Sequence, residues 1–211
     1  MKLKTEKYNT QIKQWPQKGK HIMAQYDEIK IIVYQSYRPE IGLFATKNQY
    51  FGGDFKLSRM TWIKPNFLWM MYRNGWGQKE GQEIILAIHL KLDAFMKYLN
   101  QAVVSVFDSE LHTDHESWQN AVKSSNVRLQ WDPDHDPYGQ KLERKAIQIG
   151  LRNELIKSYA KDDIIEIEDI SSFVEAQYKH VQSKNLDQLE TPLEKPLLIQ
   201  DEKLIRKLQM T

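Results

Sequence analysis

The stretch "RMTWIKPNFLWMMYRNGWG", residues 59–77, changes its hydrophobic pattern in the middle. Its first part, "RMTWIK" (59–64), is short and contains residues that favour strands. Pro65 then fits the first position of a helix, and Gly75 fits the position just after a helix end. We therefore expect a strand that leads directly into a helix from Pro65 to Asn74.

The same succession of strand-like and helix-like segments continues on both sides of this stretch. Short β-branched and aromatic runs predict strands, and apolar residues three and four apart predict helices. The predicted strands are residues 29–36, 82–90, 126–131, 145–150 and 163–168, and the predicted helices are residues 38–49, 92–102, 114–125, 152–160 and 171–184. Asp114 and Ser171 are suitable N-cap residues. This order predicts the α+β class, with a single mixed α/β domain and a central, largely antiparallel sheet.

The two ends of the chain differ in pattern from the middle. Residues 1–20 are polar and basic and predict an irregular lead-in. After residue 184, two prolines precede an amphipathic stretch that contains Leu204, Ile205 and Leu208. We expect residues 1–184 to form one globular domain, and residues 185–211 to form a tail that docks on the domain or on a partner.

Composition limits the classes of protein that the chain can represent. Its 211 residues contain 30 Lys and Arg against 28 Asp and Glu, for a net charge of +2. This balance permits an anionic partner, but proteins that coat nucleic acid carry a clear basic excess. The absence of cysteine excludes disulfides and a cysteine nucleophile. No apolar run has the length of a membrane span or the character of a secretory signal, so we expect a soluble cytoplasmic protein with no membrane contact.

The tryptophan-rich stretch allows two interpretations. Its tryptophans are Trp62, Trp69 and Trp76. A helix that is apolar on all sides is normally buried, which favours a simple core helix. Arg59, Lys64 and Arg73 favour a binding site instead, because a buried cation needs a partner and because cations near a helix N-terminus can hold a phosphate or carboxylate. Under this second interpretation, Arg59 and at least one of the other two cations share a concave surface with Tyr34 or Gln35.

Five longer strings make the chain similar to a known family. They are "HIMAQYDEIKIIVYQSYRPEIG" (21–42), "SRMTWIKPNFLWMMYRNGWGQKEGQE" (58–83), "VRLQWDPD" (127–134), "KAIQIGL" (145–151) and "IIEIEDIS" (164–171). Together they resemble the domain of unknown function 4291 family, over roughly residues 14–182. This resemblance implies the domain and leaves its chemistry open.

A second resemblance concerns the layout of the first elements. A strand that ends in "VYQSY" (33–37), a helix and a "YF" turn at Tyr50 look like the opening of ADP-ribosyltransferase domains. The resemblance implies that the strand end holds the nicotinamide end of NAD. It places Gln35 where many such enzymes have a histidine, and Gln148 on the strand where they have a catalytic glutamate.

Two hypotheses about function follow from these observations. The first is a nucleotide-binding, NAD-type, ADP-ribosyltransferase-like enzyme with a basic and aromatic cleft. Its candidate catalytic residues are Gln148, Glu40 and Gln35, with Glu143 as a further carboxylate. Its candidate ligand-binding residues are Tyr34, Arg38, Arg59, Thr61, Trp62, Lys64, Trp69, Tyr72 and Arg73. The second hypothesis is a non-catalytic module that binds nucleic acid through the same surface, with an affinity that falls steeply with salt.

Two other motifs combine carboxylates with histidines. They are "WDPDHD" (131–136) and "LHTDHESW" (111–118). Such sets suit a divalent cation, but turn and capping chemistry explains both motifs. His89 lies in an apolar strand and is expected to be a core or edge residue. We therefore predict no metal site.

Overall fold

Twelve β-strands and eight α-helices occur in residues 3–211, the part of the chain that the computed structural model describes. The strands are β1 (Thr5–Lys7), β2 (Gly19–Lys20), β3 (Met23–Ala24), β4 (Lys30–Tyr37), β5 (Thr61–Ile63), β6 (Ile84–Lys91), β7 (Ala102–Val104), β8 (Val127–His135), β9 (Lys141–Leu151), β10 (Ile164–Asp169), β11 (Glu190–Pro192) and β12 (Lys195–Pro196). The helices are α1 (Tyr8–Gln11), α2 (Pro39–Asn48), α3 (Phe67–Asn74), α4 (Leu92–Gln101), α5 (His115–Ser124), α6 (Glu154–Lys157), α7 (Ser171–Gln182) and α8 (Glu202–Lys207). The predicted α+β class is confirmed.

Two sheets contain most of the strand pairing. In the first, β6 lies between β4 and β10, and all pairs are antiparallel. In the second, β9 pairs with β8 along one edge and with β2 and β5 along the other, while β7 joins β8. Among the paired strands of residues 3–211, β2–β9 and β7–β8 are the parallel pairs, so the pairing is largely antiparallel.

A single backbone bridge joins the two sheets. The Tyr34 amide in β4 donates a hydrogen bond of 2.7 Å to the carbonyl of Lys64, which lies just after β5. Toward the end of β4, the side chain of Gln35 spans the two strands, donating to the Thr61 hydroxyl at 2.8 Å and to the Trp62 carbonyl at 3.0 Å. A cavity of about 740 Å³ opens beside this junction.

Strand β4 is buried on both faces, as its apolar run predicts. Because side chains alternate across a strand, Ile31 and Val33 enter one hydrophobic core, whereas Ile32 and Tyr34 enter a second core. The second core also contains Trp76. The predicted strand begins at Ile29, one residue before β4. Ile29 is exposed, but a β-branched run does not show which of its apolar residues is exposed.

Helix α3 begins two residues later than predicted. The Asn66 side chain accepts a hydrogen bond of 2.7 Å from the Trp69 amide, so Asn66 is the N-cap and Pro65 lies outside the helix. The predicted end is confirmed, since Gly75 adopts the left-handed conformation with a φ of 61°.

Two other predictions about helices have different outcomes. Asp114 caps α5 as predicted, accepting from the Ser117 amide at 2.7 Å. Ser171 does not cap α7, because its hydroxyl instead accepts from the Ile85 amide at 2.9 Å and donates to Asp169 at 2.5 Å. The helix predicted over residues 152–160 is the short α6, continued by a π-helical turn at Ser158–Asp162.

The terminal segments contribute to the same body. In residues 185–211, β11 pairs with β1 and β12 pairs with β3, while Leu204 of α8 and Leu208 just after it enter the first core. The lead-in predicted as irregular contains β1, α1 and β2, and its residues 1–2 lie outside the described part. No helix in residues 3–211 has the length and apolar character to span a membrane; α7, the longest, has 12 residues.

Candidate functional site

A cavity of about 740 Å³ lies where β4 and β5 separate. Six segments form its walls: the end of β4, the start of α2, the loop before β5, β5 with its flanking residues, α3, and the loop before β6. Its lining includes Gln35, Arg38, Lys56, Arg59, Thr61, Trp62, Lys64, Arg73 and Lys79. The sequence predicts that Arg59 and at least one of Lys64 and Arg73 share a concave surface with Tyr34 or Gln35. In the structure, all three cations line this cavity with Gln35, and Tyr34 does not.

The charges around this larger cavity are strongly unbalanced. Among the described residues that line it, Asp54 is the one acid. Asp54 lies 2.5 Å from Arg38, which also contacts Glu40 at 3.2 Å, so Arg38 is already neutralised. The other lining cations form no ion pair within residues 3–211; they are Lys56, Arg59, Lys64, Arg73 and Lys79. The cavity therefore presents net positive charge.

A smaller cavity of about 330 Å³ adjoins the larger one. Its lining residues are Trp62, Lys64, Trp69, Arg73, Gln130, Asp132 and Gln148. Trp62, Lys64 and Arg73 line both cavities and form the wall between them. We call the pair of cavities the two-chamber cleft.

Strand geometry explains why these residues meet. Trp62 is opposite Gly150 in the β5–β9 register, and Gln130 is opposite Gln148 in the β8–β9 register. Residues two apart in a strand share a face, so Asp132 follows Gln130 on the face that carries Trp62. The alternate residues, such as Leu129 and Ile149, face the first core.

Lys64 is the central group of the cleft. Its side chain is buried, and its one hydrogen bond in the described chain is a long contact of 3.5 Å with the Trp62 carbonyl. Burial, and to a smaller extent Arg73, lower the pKa of the Lys64 ammonium to about 8, against an opposing effect of Asp132. A buried ammonium without an ion pair is costly, and an anionic ligand would compensate it.

The tryptophans of the opening stretch separate into core and cleft residues. Trp76 packs against Phe67 and Tyr178 in the second core. Trp69 is buried beside the smaller cavity, and its indole N–H has no hydrogen-bond partner in residues 3–211. Its ring packs near Tyr72 and His135 rather than near Trp76. Trp76 is therefore a core residue, whereas Trp69 lines a cavity.

Of the predicted site residues, Tyr34, Glu40 and Tyr72 line neither cavity, and Gln35 lines the larger one with its side chain already hydrogen-bonded. Tyr34 points into the second core on the face of β4 opposite to Gln35, and it is fully buried. Gln35 does line the larger cavity, but its amide is engaged with Thr61, Trp62 and Tyr159. Glu40 is exposed beside Arg38 and does not line either cavity. Tyr72 lies outside both cavities, with 40% of its surface exposed, and stacks on His135 at 3.5 Å.

Asp132 and Gln130 are site residues that sequence reasoning missed. Gln130 donates to one oxygen of the Asp132 carboxylate at 2.9 Å, and Gln148 donates to the other at 2.8 Å. The carboxylate is thus fixed in orientation within the smaller cavity. The polar positions of "VRLQWD" alternate with apolar ones, and this period could have identified the two residues as a cavity face once the strands were paired.

The motifs considered for metal binding do not form one cluster. In "WDPDHD", Asp132 faces the smaller cavity, Asp134 pairs with Arg144 at 2.6 Å, and His135 stacks on Tyr72. Within residues 3–211 the one group of three potential ligands is His89, Glu166 and Glu168, with ligand atoms within 4.8 Å of one another. His89 contacts Glu168 at 2.5 Å, and burial lowers the pKa of its imidazole.

Comparison with known proteins gives one family match. The model of the family described as "Domain of unknown function (DUF4291)" matches residues 21–203. A search of curated proteins gives no match. The matched range includes every residue that lines the two-chamber cleft.

Proposed function

The chain belongs to the DUF4291 family, and we propose that it binds a phosphate-bearing nucleotide of the NAD type in the two-chamber cleft and acts on it as a transferase-like enzyme. The proposal includes the cytoplasmic location expected from the sequence. It is supported by the charge, shape and aromatic character of the cleft, since ligand sites are concave and have a few well-placed polar groups.

The main observation behind the proposal is that the Lys64 ammonium is buried without an ion pair in the described chain. It lies between two cavities and has no carboxylate partner there. Arg73 lines the same wall, so two cations can approach one anionic group there. Phosphate suits such a site, because charge-assisted hydrogen bonds from ammonium and guanidinium groups are stronger than neutral ones.

The aromatic and carboxylate groups of the cleft add support for a nucleotide over a simple anion. Trp62 lies on the wall between the chambers, where a ring of the ligand could stack. Asp132 offers an oriented carboxylate in the smaller chamber. An oriented carboxylate can accept hydrogen bonds from hydroxyl groups, which the ribose of a nucleotide offers and a simple anion does not.

Binding is tested by calorimetric titration of NAD, ADP-ribose and AMP into the wild-type protein and into Lys64→Met. Methionine keeps the apolar bulk of the lysine and removes its charge. We expect binding to the wild type and at least about tenfold weaker binding to the variant. Lys47→Met, on the exposed end of α2, is the matched control and should bind like the wild type. Absence of heat with all three ligands would contradict the proposal.

Turnover is tested separately by mass spectrometry. If the protein is a transferase that uses NAD, incubation should release nicotinamide and add the ADP-ribosyl mass to an acceptor. Asp132→Asn should reduce the rate of release. If NAD binds tightly but neither product forms, the protein binds nucleotides and the transferase part of the proposal is wrong.

One observation favours the alternative of a nucleic-acid-binding module. Tyr72 is exposed outside both chambers, and the next residue, Arg73, is exposed at the chambers themselves. An aromatic ring and a cation in this arrangement can stack on and neutralise a nucleotide of a longer strand. Under this alternative, an RNA or DNA oligonucleotide should bind more tightly than AMP, and Tyr72→Ala should weaken the oligonucleotide alone. The affinity should also fall steeply between 50 and 200 mM salt, roughly as phosphate contacts release counterions.

A further inference from the structure

The smaller chamber is lined by groups of opposite charge. Lys64 and Arg73 are its cations, and Asp132 is its carboxylate. Asp132 influences the Lys64 ammonium electrostatically, yet the two groups do not form an ion pair. Because Lys64 and Asp132 are not paired with each other, both can contact a ligand that carries an anionic group and hydrogen-bond donors.

The Lys64 and Trp69 side chains have unused hydrogen-bond donors. The Lys64 ammonium makes one long contact of 3.5 Å in the described chain, and the buried indole N–H of Trp69 makes none. Arg73 adds a guanidinium, whose carbon lies 5.9 Å from the centre of the Trp69 ring. A tetrahedral anion with several acceptor oxygens can accept from more than one of these donors, as a phosphate does.

The Asp132 carboxylate has unused hydrogen-bond acceptor capacity. A carboxylate has about four acceptor sites, and the glutamines beside Asp132 use one on each oxygen. Each oxygen can therefore accept one more hydrogen bond. Two neighbouring hydroxyl groups match the two oxygens of a carboxylate held in a fixed orientation.

We propose that the smaller chamber binds the ribosyl-phosphate part of the nucleotide, with the phosphate at Lys64 and Arg73 and the ribose hydroxyls at Asp132. This inference rests on the proposed nucleotide cleft, and it specifies which part of the ligand enters which chamber. A volume of about 330 Å³ is at the lower end for ligand pockets and suits one such unit. The rest of a dinucleotide then extends past Trp62 into the larger chamber.

The test compares ligands that differ by one hydroxyl group. AMP and 2′-deoxyadenosine monophosphate are titrated into the wild type, into Asp132→Asn and into Lys64→Met. We expect the wild type to prefer AMP by about tenfold, because a hydrogen bond to a charged group is lost with the hydroxyl. Asp132→Asn should lose this preference while retaining affinity for inorganic pyrophosphate, whereas Lys64→Met should weaken AMP, its deoxy analogue and pyrophosphate together. Asp162→Asn, an exposed position outside both chambers, should retain the wild-type preference.

Equal affinity of the wild type for AMP and its deoxy analogue would overturn the inference, whatever the variants do. An unchanged preference in folded Asp132→Asn would do the same. Displacement of AMP by free amino acids, which also carry an anion and a donor, would assign the chamber to a zwitterion instead. If NAD fails to bind but the AMP preference depends on Asp132, the proposed function fails and the ribosyl-phosphate chamber stands. If NAD binds with the same affinity to the wild type and to Asp132→Asn, the proposed function stands and the ribosyl-phosphate chamber fails.

Discussion

At the scale of single residues, the backbone holds Lys64 in its buried position. Its carbonyl accepts the hydrogen bond that joins the two sheets, so the side chain starts from a fixed point between β4 and β5. The folded protein keeps the ammonium buried while the unfolded chain exposes it to water. This difference makes the stability of the protein depend on pH in a predictable direction.

We predict that stability rises between about pH 8 and pH 10 because of Lys64. The folded pKa of Lys64 is about 8, below the ordinary value of 10.5. In this window the unfolded chain binds a proton that the folded chain has released, so the free energy of unfolding rises with pH, by at most about 1.4 kcal/mol per pH unit. Urea unfolding of the wild type and Lys64→Met at pH 7, 9 and 10 measures the effect. The difference between the two proteins should shift in favour of the wild type as pH rises; a constant difference would contradict the prediction.

Gly150 gives a second prediction at this scale. A Cβ at this position would lie 2.8 Å from the Met60 sulfur and 3.1 Å from two atoms of the Trp62 ring. Methionine is flexible and can move away, so Trp62 decides the cost. Gly150→Ala should destabilise the protein by about 1–3 kcal/mol and displace Trp62 from the cleft wall. In a double-mutant cycle the cost should fall when Trp62 is also replaced by alanine, and an equal cost in both backgrounds would exclude this clash as the cause.

The candidate site was predictable in part at the residue level. The sequence placed Arg59, Lys64 and Arg73 together, because cations among large apolar side chains have few other solutions. It did not predict that Tyr34 and Gln35 face opposite sides of a strand with different surroundings on each side. It also missed Asp132, since its partners Gln130 and Gln148 converge only through strand pairing.

At the scale of elements, α3 supplies Trp69 and Arg73 to the cleft, and its first turn is fixed from two sides. Asn66 caps the Trp69 amide, and Glu194 of the C-terminal segment accepts from the Phe67 amide at 2.7 Å. Both contacts satisfy amides that have no partner within the helix. The position of the cleft wall therefore depends on these two side chains.

Removing the Asn66 cap should destabilise the protein and weaken ligand binding together. We expect Asn66→Ala to cost about 1–2 kcal/mol, because the Trp69 amide loses its acceptor. Asn66→Ser can restore a capping oxygen without the contact of 3.4 Å to Asp134, so it should recover most of this loss. Chemical denaturation measures both variants. An alanine variant as stable as the wild type would show that the cap is not needed.

The elements also show what kind of information the sequence lacks. The long apolar runs of β4 and β6 were predicted within one or two residues, because their hydrophobic pattern is local. Strands β11 and β12 have two or three residues each and exist through pairing with β1 and β3. The sequence therefore predicts only an irregular lead-in and a docking tail, because the formation of such short strands depends on tertiary pairing.

At the scale of the whole molecule, the C-terminal segment closes the fold through Glu194. Its side chain caps α3, its amide donates to Gln11 at 2.9 Å, and its carbonyl accepts from Trp15 at 2.9 Å. Burial raises the pKa of the Glu194 carboxyl well above its ordinary value; Asp134 raises it further, and the Phe67 amide and Arg144 lower it. The folded protein therefore keeps a proton that the unfolded chain releases.

For Glu194 we predict that stability changes with pH in the direction opposite to that for Lys64. As pH rises above the ordinary carboxyl range, near 4.5, the unfolded chain loses the proton and the folded chain keeps it, so Glu194 contributes less to stability. Glu194→Gln resembles the protonated side chain, so the wild type should lose stability relative to it between pH 5 and pH 8. Urea unfolding at the two values provides the measurement. A gap between the proteins that does not change with pH would mean that Glu194 is ionised in the fold.

We propose that the two-chamber cleft binds a nucleotide through Lys64, and a crystal structure of the protein soaked with NAD would decide this. We expect a phosphate oxygen within about 3 Å of the Lys64 Nζ atom, with a ring of the ligand against Trp62. A nucleotide bound elsewhere, or a cleft that holds only water at a saturating concentration of NAD, would rule out binding through Lys64.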